Sequence, residues 1–139
     1  MELSSNNSTT GDEVLRRINM GFGLVEDGTL IKHNFPEETV FISDDVKVMG
    51  MMVFVSADIR AVRIPPTVTT IPGRAFYSCK RMKSVVIPDT VKVIEKEAFG
   101  YGYDGKMEDF SILGMKETEA ERCTKENSFI FYEVINFGF

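Results

Sequence analysis

Apolar positions between residues 40 and 99 follow two short spacings nested inside one longer repeat. In "SVVIP" (Ser84 to Pro88) the residues Val85 and Ile87 alternate with Ser84 and Val86. A period of two predicts a short strand. Pro88 ends it, because proline brings no N–H to a ladder. Val91 and Ile94 open a second extended segment, and "EAF" turns the chain back with Phe99 as a large core plug. The same sentence stands 23 residues earlier: Ile64 matches Ile87, and Pro65, Val68, Ile71, Ala75 and Phe76 match Pro88, Val91, Ile94, Ala98 and Phe99. A third copy stands 22 residues before that, with Ile42, Val46, Met49 and Phe54 in the apolar places. It has Ser43 where the others have proline and one residue fewer near Ala57.

A period of this length predicts a solenoid. One unit cannot bury its own apolar face, so units stack and share a core. The expected architecture is a mostly β repeat solenoid, a stack of about three units. It has a small parallel sheet on one face and a second ladder on the other. The core is predicted at Ile64, Ile87, Val68, Val91, Ile71, Ile94, Phe76 and Phe99. If Val40, Ile42, Val62, Ile64, Val85 and Ile87 point inward, their neighbours point outward. Thr39, Ala61 and Ser84 then form one outward row, and Phe41, Arg63 and Val86 the next, with Ser111 or Leu113 continuing it.

The unit "IP..V..I...AF..C", followed by the basic-apolar-basic "KRMKS", resembles the BspA-like leucine-rich repeat family of bacterial and protozoan surface proteins. The resemblance covers roughly residues 38–107 as repeats. "FSILGMKETEAERCTKENSFIFYEV" is similar to the segment that closes many such arrays: strand, glycine turn, short helix, last strand. "EDGTLIKHN" resembles the hairpin that often opens them. The sequence departs from the pattern at Ser43, at Ser128 where glycine is usual, and at Glu117 and Glu119 where small residues are usual. The resemblance implies a leucine-rich-repeat-like stack in a cell-surface or secreted bacterial protein that binds host or neighbouring proteins.

The ends are expected to be caps, since an open stack exposes core and an unpaired strand edge. Residues 1–12 are expected to be a weakly ordered tail, 13–37 an N-terminal cap with a hairpin, 38–107 the repeats and 108–139 the C-terminal cap. Asp27-Gly28 is a strong hairpin signal, and Val14, Leu15 and Ile18 would share one face of a short helix before it. At the back, Thr118 to Asn127 predicts a helix. Thr118 and Glu121 would make a capping box, Ala120 and Cys123 would face the core, and Lys125 would suit the macrodipole. Asn127 would end it in a left-handed conformation. "FIFYEVI" follows as an edge or near-edge strand.

Composition narrows the function rather than naming it. Hydrophobic residues make up 43% of 139, enough for a packed core. The net charge of -5 opposes non-specific nucleic-acid binding and anionic membranes. No apolar run is long enough to span a bilayer. The polar start "MELSSNNSTTGDE" lacks the features of a secretory signal. Either the chain stays inside the cell or an export signal lies upstream of it. Two cysteines, Cys79 and Cys123, exclude a disulfide framework and leave the compartment open.

Candidate chemistry is sparse. His33 has no nucleophile near it in sequence and is expected to be a surface or cap residue. Cys79 and Cys123 are expected to be buried fillers. Asp104, Glu108 and Asp109 lack EF-hand order, have Lys106 among them, and suggest a solvated loop. Gly100, Gly102 and Gly105 lack the Lys-Ser or Lys-Thr of a phosphate loop. Met49 to Met52, "MGMM", suggests adaptable core filling. No catalytic residue, cofactor or metal site is expected. The reading is a non-catalytic protein-binding module, with an intracellular adaptor or regulatory scaffold as the alternative. The candidate partner-binding residues are Phe41, Arg63, Val86, Thr39 and Ser84. The partner is an unidentified protein, without nucleic acid or membrane insertion. Homodimerisation through an edge strand or through Phe137 and Phe139 is a further option.

Overall fold

The computed structural model describes residues 24–26, 29–32 and 39–135. The helix expected around Val14, Leu15 and Ile18, the Asp27-Gly28 turn, His33, Phe137 and Phe139 lie outside the described residues.

The chain folds as a leucine-rich-repeat-like β-solenoid. Strands β1 (Leu24–Glu26) and β2 (Thr29–Lys32) pair antiparallel. Each repeat then contributes two strands: β3 (Thr39–Phe41) with β4 (Val48–Met49), β5 (Ala61–Arg63) with β6 (Thr70–Ile71), and β7 (Ser84–Val86) with β8 (Val93–Ile94). A small hairpin follows, β9 (Tyr101–Gly102) and β10 (Gly105–Lys106). Strand β11 (Ser111–Gly114), helix α1 (Glu119–Asn127) and strand β12 (Ile130–Glu133) complete the described chain.

The first strands of the repeats form one parallel sheet, and it has five strands rather than three. Its order is β12-β11-β7-β5-β3, so the closing segment adds two further rungs to the same sheet. The second ladder runs along the opposite side. There β6 pairs β8 in parallel, and β4 pairs β2, which brings the opening hairpin into that ladder.

The periodic apolar positions are the core. Ile64, Ile87, Val68, Val91, Ile71, Ile94, Phe76 and Phe99 are all buried, as are Ile42, Val46, Met49 and Phe54 of the first copy. The phenylalanines of successive units stack into a column. Phe54 and Phe76 lie 4.7 Å apart and nearly parallel. Phe99 follows at 6.5 Å from Phe76, then Phe110 at 5.7 Å and Phe129 at 5.1 Å. The last two come from the closing segment, so the column continues into the cap.

The turns around these rings are ladders in their own right. The N–H of Phe54 donates to the carbonyl of Ala75, and that of Phe76 to Ala98, at 2.8 and 2.7 Å. Ser56 and Ser78 repeat the arrangement two residues on, with Tyr77 and Tyr101, both at 2.8 Å. Reaching those acceptors bends the backbone into the left-handed region at Met52, Arg74 and Glu97, two residues before each ring, and again at Ser56 and Ser78. Such a conformation costs a non-glycine residue about 1–2 kcal/mol. The alternative is a buried N–H without a partner, which costs a comparable amount or more. Threonine hydroxyls stitch neighbouring units as well: Thr67 donates to the Val46 carbonyl and Thr90 to that of Val68.

Three local expectations need correction. Of the "MGMM" methionines, Met49 is core, but Met51 is 73% exposed and Met52 sits at the left-handed turn position, facing solvent. The expected solvated loop is exposed at Asp104, Glu108 and Asp109 but closes into a hairpin over residues 101–106, and Lys106 has a task there: its Nζ donates to the carbonyls of Asn127 and Ser128 at 2.8 and 3.2 Å. The end of the helix is therefore capped by a cation, where the macrodipole favours one. The left-handed residue that ends the helix is Ser128, not Asn127. Asn127 instead donates to the Cys123 carbonyl and accepts from the Tyr101 hydroxyl.

The helix start also differs from a capping box. Thr118 is the N-cap residue, but its hydroxyl turns back to the Met115 carbonyl. Glu121 accepts from the Glu117 N–H at 2.8 Å, one residue earlier than a box requires. Ala120 and Cys123 do face the core. Gly114 is required by that docking, because a Cβ there would lie 2.6 Å from the Cβ of Ala120. Glu119 closes the second ladder. Its carboxylate accepts the N–H of Ile94 at 2.9 Å, the donor that a further repeat would otherwise satisfy.

Both cysteines are free and buried. The Cys79 thiol donates to the Phe54 carbonyl of the preceding unit at 3.0 Å. Burial pushes both thiols up to about 11, so each is a neutral thiol at pH 7.

Phe99→Ala should destabilise the fold by about 3–5 kcal/mol in chemical denaturation, since the ring is held between two others and its loss leaves a cavity. A loss below about 1 kcal/mol would contradict the column as a source of stability. Native protein should resist a thiol-alkylating reagent at pH 7 and take up two equivalents once unfolded. The Arg122 guanidinium and the Ile94 N–H hold the Glu119 carboxyl below the usual glutamate range. A lowered folded value contributes stability that is complete above the ordinary glutamate range and is lost as pH falls through it. Glu119→Gln should therefore flatten part of the decline in melting temperature below that range, while lowering stability at neutral pH.

Candidate partner-binding face

Parallel register turns the alternation within each strand into continuous rows across the sheet. Val40, Val62, Val85 and Ile112 are in register and buried. The residues on either side of them point away from the core. The first outward row joins Thr39, Ala61, Ser84, Ser111 and Ile130. The second joins Phe41, Arg63, Val86, Leu113 and Tyr132. The five residues expected from sequence, Phe41, Arg63, Val86, Thr39 and Ser84, thus lie on three adjacent strands of one face.

The second row is apolar and aromatic at both ends. Phe41 is 62% exposed and Tyr132 is 56% exposed. Arg63, Val86 and Leu113 between them are half-buried. The Arg63 guanidinium lies 5.8 Å from the centre of the Phe41 ring, within cation–π range. This contact keeps the Phe41 ring beside the sheet while leaving most of it open to solvent. The first row is smaller and more polar: Ser111 donates its hydroxyl to the Lys83 carbonyl, and Ile130 supplies the exposed apolar end.

Tyr132 and Ile130 were not among the sequence candidates. Their strand is evident in "FIFYEVI", but its place in the rows depends on α1 carrying the chain back to lie parallel beside β11. Strand alternation alone does not reveal that crossover. A second aromatic cluster lies on the far side of the repeats. Tyr103, at the tip of the β9–β10 hairpin, meets Tyr77 edge-on at 5.4 Å, and Arg74 lies over the Tyr77 ring at 4.5 Å. Arg74 also pairs with Glu97 at 3.0 Å.

One cleft of about 600 Å³ separates β8 from α1, lined in part by Glu97, Tyr101, Arg122, Cys123 and Glu126. Two of its charged groups pair with one another, Arg122 with Glu126, and Arg122 also holds Glu119 at 2.7 Å. Cys123 at its base is a neutral thiol. Burial, and then the nearby Glu97, push the Tyr101 hydroxyl above its ordinary value, so it stays protonated. Among the described residues no group of three or more His, Cys, Asp and Glu side chains could hold a metal ion. Among them, too, no helix is long and apolar enough to cross a membrane.

The repeats match a family model, BspA type leucine rich repeat region (6 copies), over residues 29–106. No curated protein and no solved structure matches the chain. The matched span covers more than half the sequence and coincides with the stacked units and the hairpin strand that joins their second ladder. The chain belongs to the BspA-type leucine-rich repeat family.

Proposed function

We propose that this chain is a non-catalytic protein-binding module of adhesion type, and that its partner docks on the outward face of the five-stranded sheet. The supporting observation is the row Phe41, Arg63, Val86, Leu113, Tyr132. Its exposed aromatic ends play no part in the core, and aromatic residues and arginine are the types enriched at protein interfaces. Repeat stacks present extended regular surfaces of this kind. A place at a bacterial cell surface is part of this proposal, and the resemblance of the repeats to those of surface proteins supports it. A second reading, an intracellular adaptor or regulatory scaffold, is favoured by the two unpaired buried thiols, which suit a reducing compartment.

The test is affinity capture from a mixture of extracellular-matrix protein and cell lysate, comparing the parent chain with the Phe41→Ala, Arg63→Ala double variant. The variant should fold with an unchanged circular dichroism spectrum and retain at least about tenfold less of the parent's specific partner, the loss expected from two interface anchors. Matrix proteins among the retained species favour adhesion, and cytosolic ones the adaptor. Equal retention by the double variant would move the interface off this face, with the Tyr101–Asp109 hairpin region next to examine.

A further inference from the structure

We propose that two copies of this chain associate through the free edges of β12, antiparallel and two-fold symmetric about Tyr132, joining their sheets into one. The inference extends the protein-binding reading of the sheet but does not need it, since it rests on the edge rather than on the outward face.

Among the described residues the edge is open. There strand β12 is the terminal strand of the sheet and pairs only with β11, in unbroken register over four residues. The N–H groups of Ile130 and Val134 donate to Phe110 and Gly114 across that pairing. By alternation, the N–H and C=O groups of Phe131 and Glu133 point the other way, off the sheet. Proteins usually blunt such an edge with charged side chains, proline or a bulge. Here β12 has no proline, lysine or bulge, its one charge, Glu133, lies 3.8 Å from the Lys116 ammonium of its own chain, and the strand carries Ile130 at 42% and Tyr132 at 56% exposure, with Ile135 just beyond it at 84%. A further repeat cannot stack on this end, because α1 occupies the second ladder and Glu119 has taken its last donor. What remains is room for a strand.

The residue pattern is self-complementary in one register. With the axis through Tyr132, Phe131 of each copy faces Glu133 of the second copy, and these pairs exchange the outward N–H and C=O groups. Ile130 then faces Val134, and the two tyrosines meet on the outward face as a non-hydrogen-bonded pair, where side chains approach closest. No charge meets its like. Moving the axis to Glu133 sets two carboxylates opposite one another. Moving it to Phe131 calls on the N–H of Phe129, which already donates to the Thr124 carbonyl at 3.0 Å. A two-fold contact also closes on itself, giving a dimer and not a filament. The second outward row would then run unbroken from Phe41 of one copy, through the paired tyrosines, to Phe41 of the other.

Sedimentation velocity of the full chain from about 1 μM to about 1 mM covers the range expected for a small, wet interface. A monomer–dimer equilibrium should be seen, and Tyr132→Lys should weaken it at least tenfold with an unchanged melting temperature, since the side chain is exposed. Under mild oxidation Tyr132→Cys should cross-link to a covalent dimer, whereas Glu133→Cys should not. A monomer throughout that range, assembly beyond the dimer, a dimer insensitive to Tyr132→Lys, or cross-linking at position 133 in place of 132 would each overturn the proposal. Pairing of the edge with an added strand peptide but not with itself would do the same.

Discussion

Everything in this fold depends on main-chain hydrogen bonds that one repeat cannot make for itself. Each strand, and each turn around the buried phenylalanine, finds its partner in the next unit along the stack. The Phe54 N–H needs Ala75, the Phe76 N–H needs Ala98, and the Ile64 N–H needs the carbonyl of Val86. Removing the neighbour leaves buried donors unmet, so the units stand or fall together. The same dependence makes the last unit a problem, because it has no neighbour. The closing segment supplies substitutes one at a time: a strand for the sheet, Phe110 and Phe129 for the ring column, and the Glu119 carboxylate for the second ladder.

The same dependence decides which features were legible in the sequence. Positions filled by apolar side chains repeat because the core repeats, so Ile64, Val68, Ile71 and Phe76 disclosed the period and the inward face directly. The outward rows followed from alternation and equal offsets. What stayed hidden was the backbone. Met52, Arg74 and Glu97 adopt left-handed conformations that none of these residue types prefers. Tertiary hydrogen bonds impose the shape, so no local signal marks it. Met51 and Met52 looked like core for the same reason: the turn that swings them outward is not written in their hydrophobicity.

The candidate face was half legible on similar grounds. Phe41, Arg63 and Val86 sit in the periodic part of the chain, where one unit predicts the next. Tyr132 and Ile130 lie beyond a helix that replaces half a repeat, and there the offset no longer applies. Ser128 shows how substitution blurs a family signal. It takes the left-handed position where glycine is usual, and Lys106 donates to the carbonyls of Asn127 and Ser128 beside it. A lysine in a hairpin some twenty residues away, at a distance of 2.8 Å, thus supports a helix end that the local sequence leaves weak.

A division of labour follows between the two sides of each strand. Inward residues answer to the neighbouring unit and tolerate little change, as the stacked rings and Gly114 against Ala120 illustrate. Outward residues make only peripheral contacts, such as Arg63 over the Phe41 ring and the Ser111 hydroxyl on the Lys83 carbonyl. Phe41 and Tyr132 are large, apolar and exposed at opposite ends of one row, where a serine or lysine would serve the fold equally well and solubility better. The described fold does not require them, and on the proposed reading they serve a partner or a second copy of the chain. The stack provides the rigid spacing, about 4.8 Å from strand to strand, at which those side chains are displayed. On that proposed reading, specificity is set by which residues occupy the outward rows, and it can change without disturbing the core.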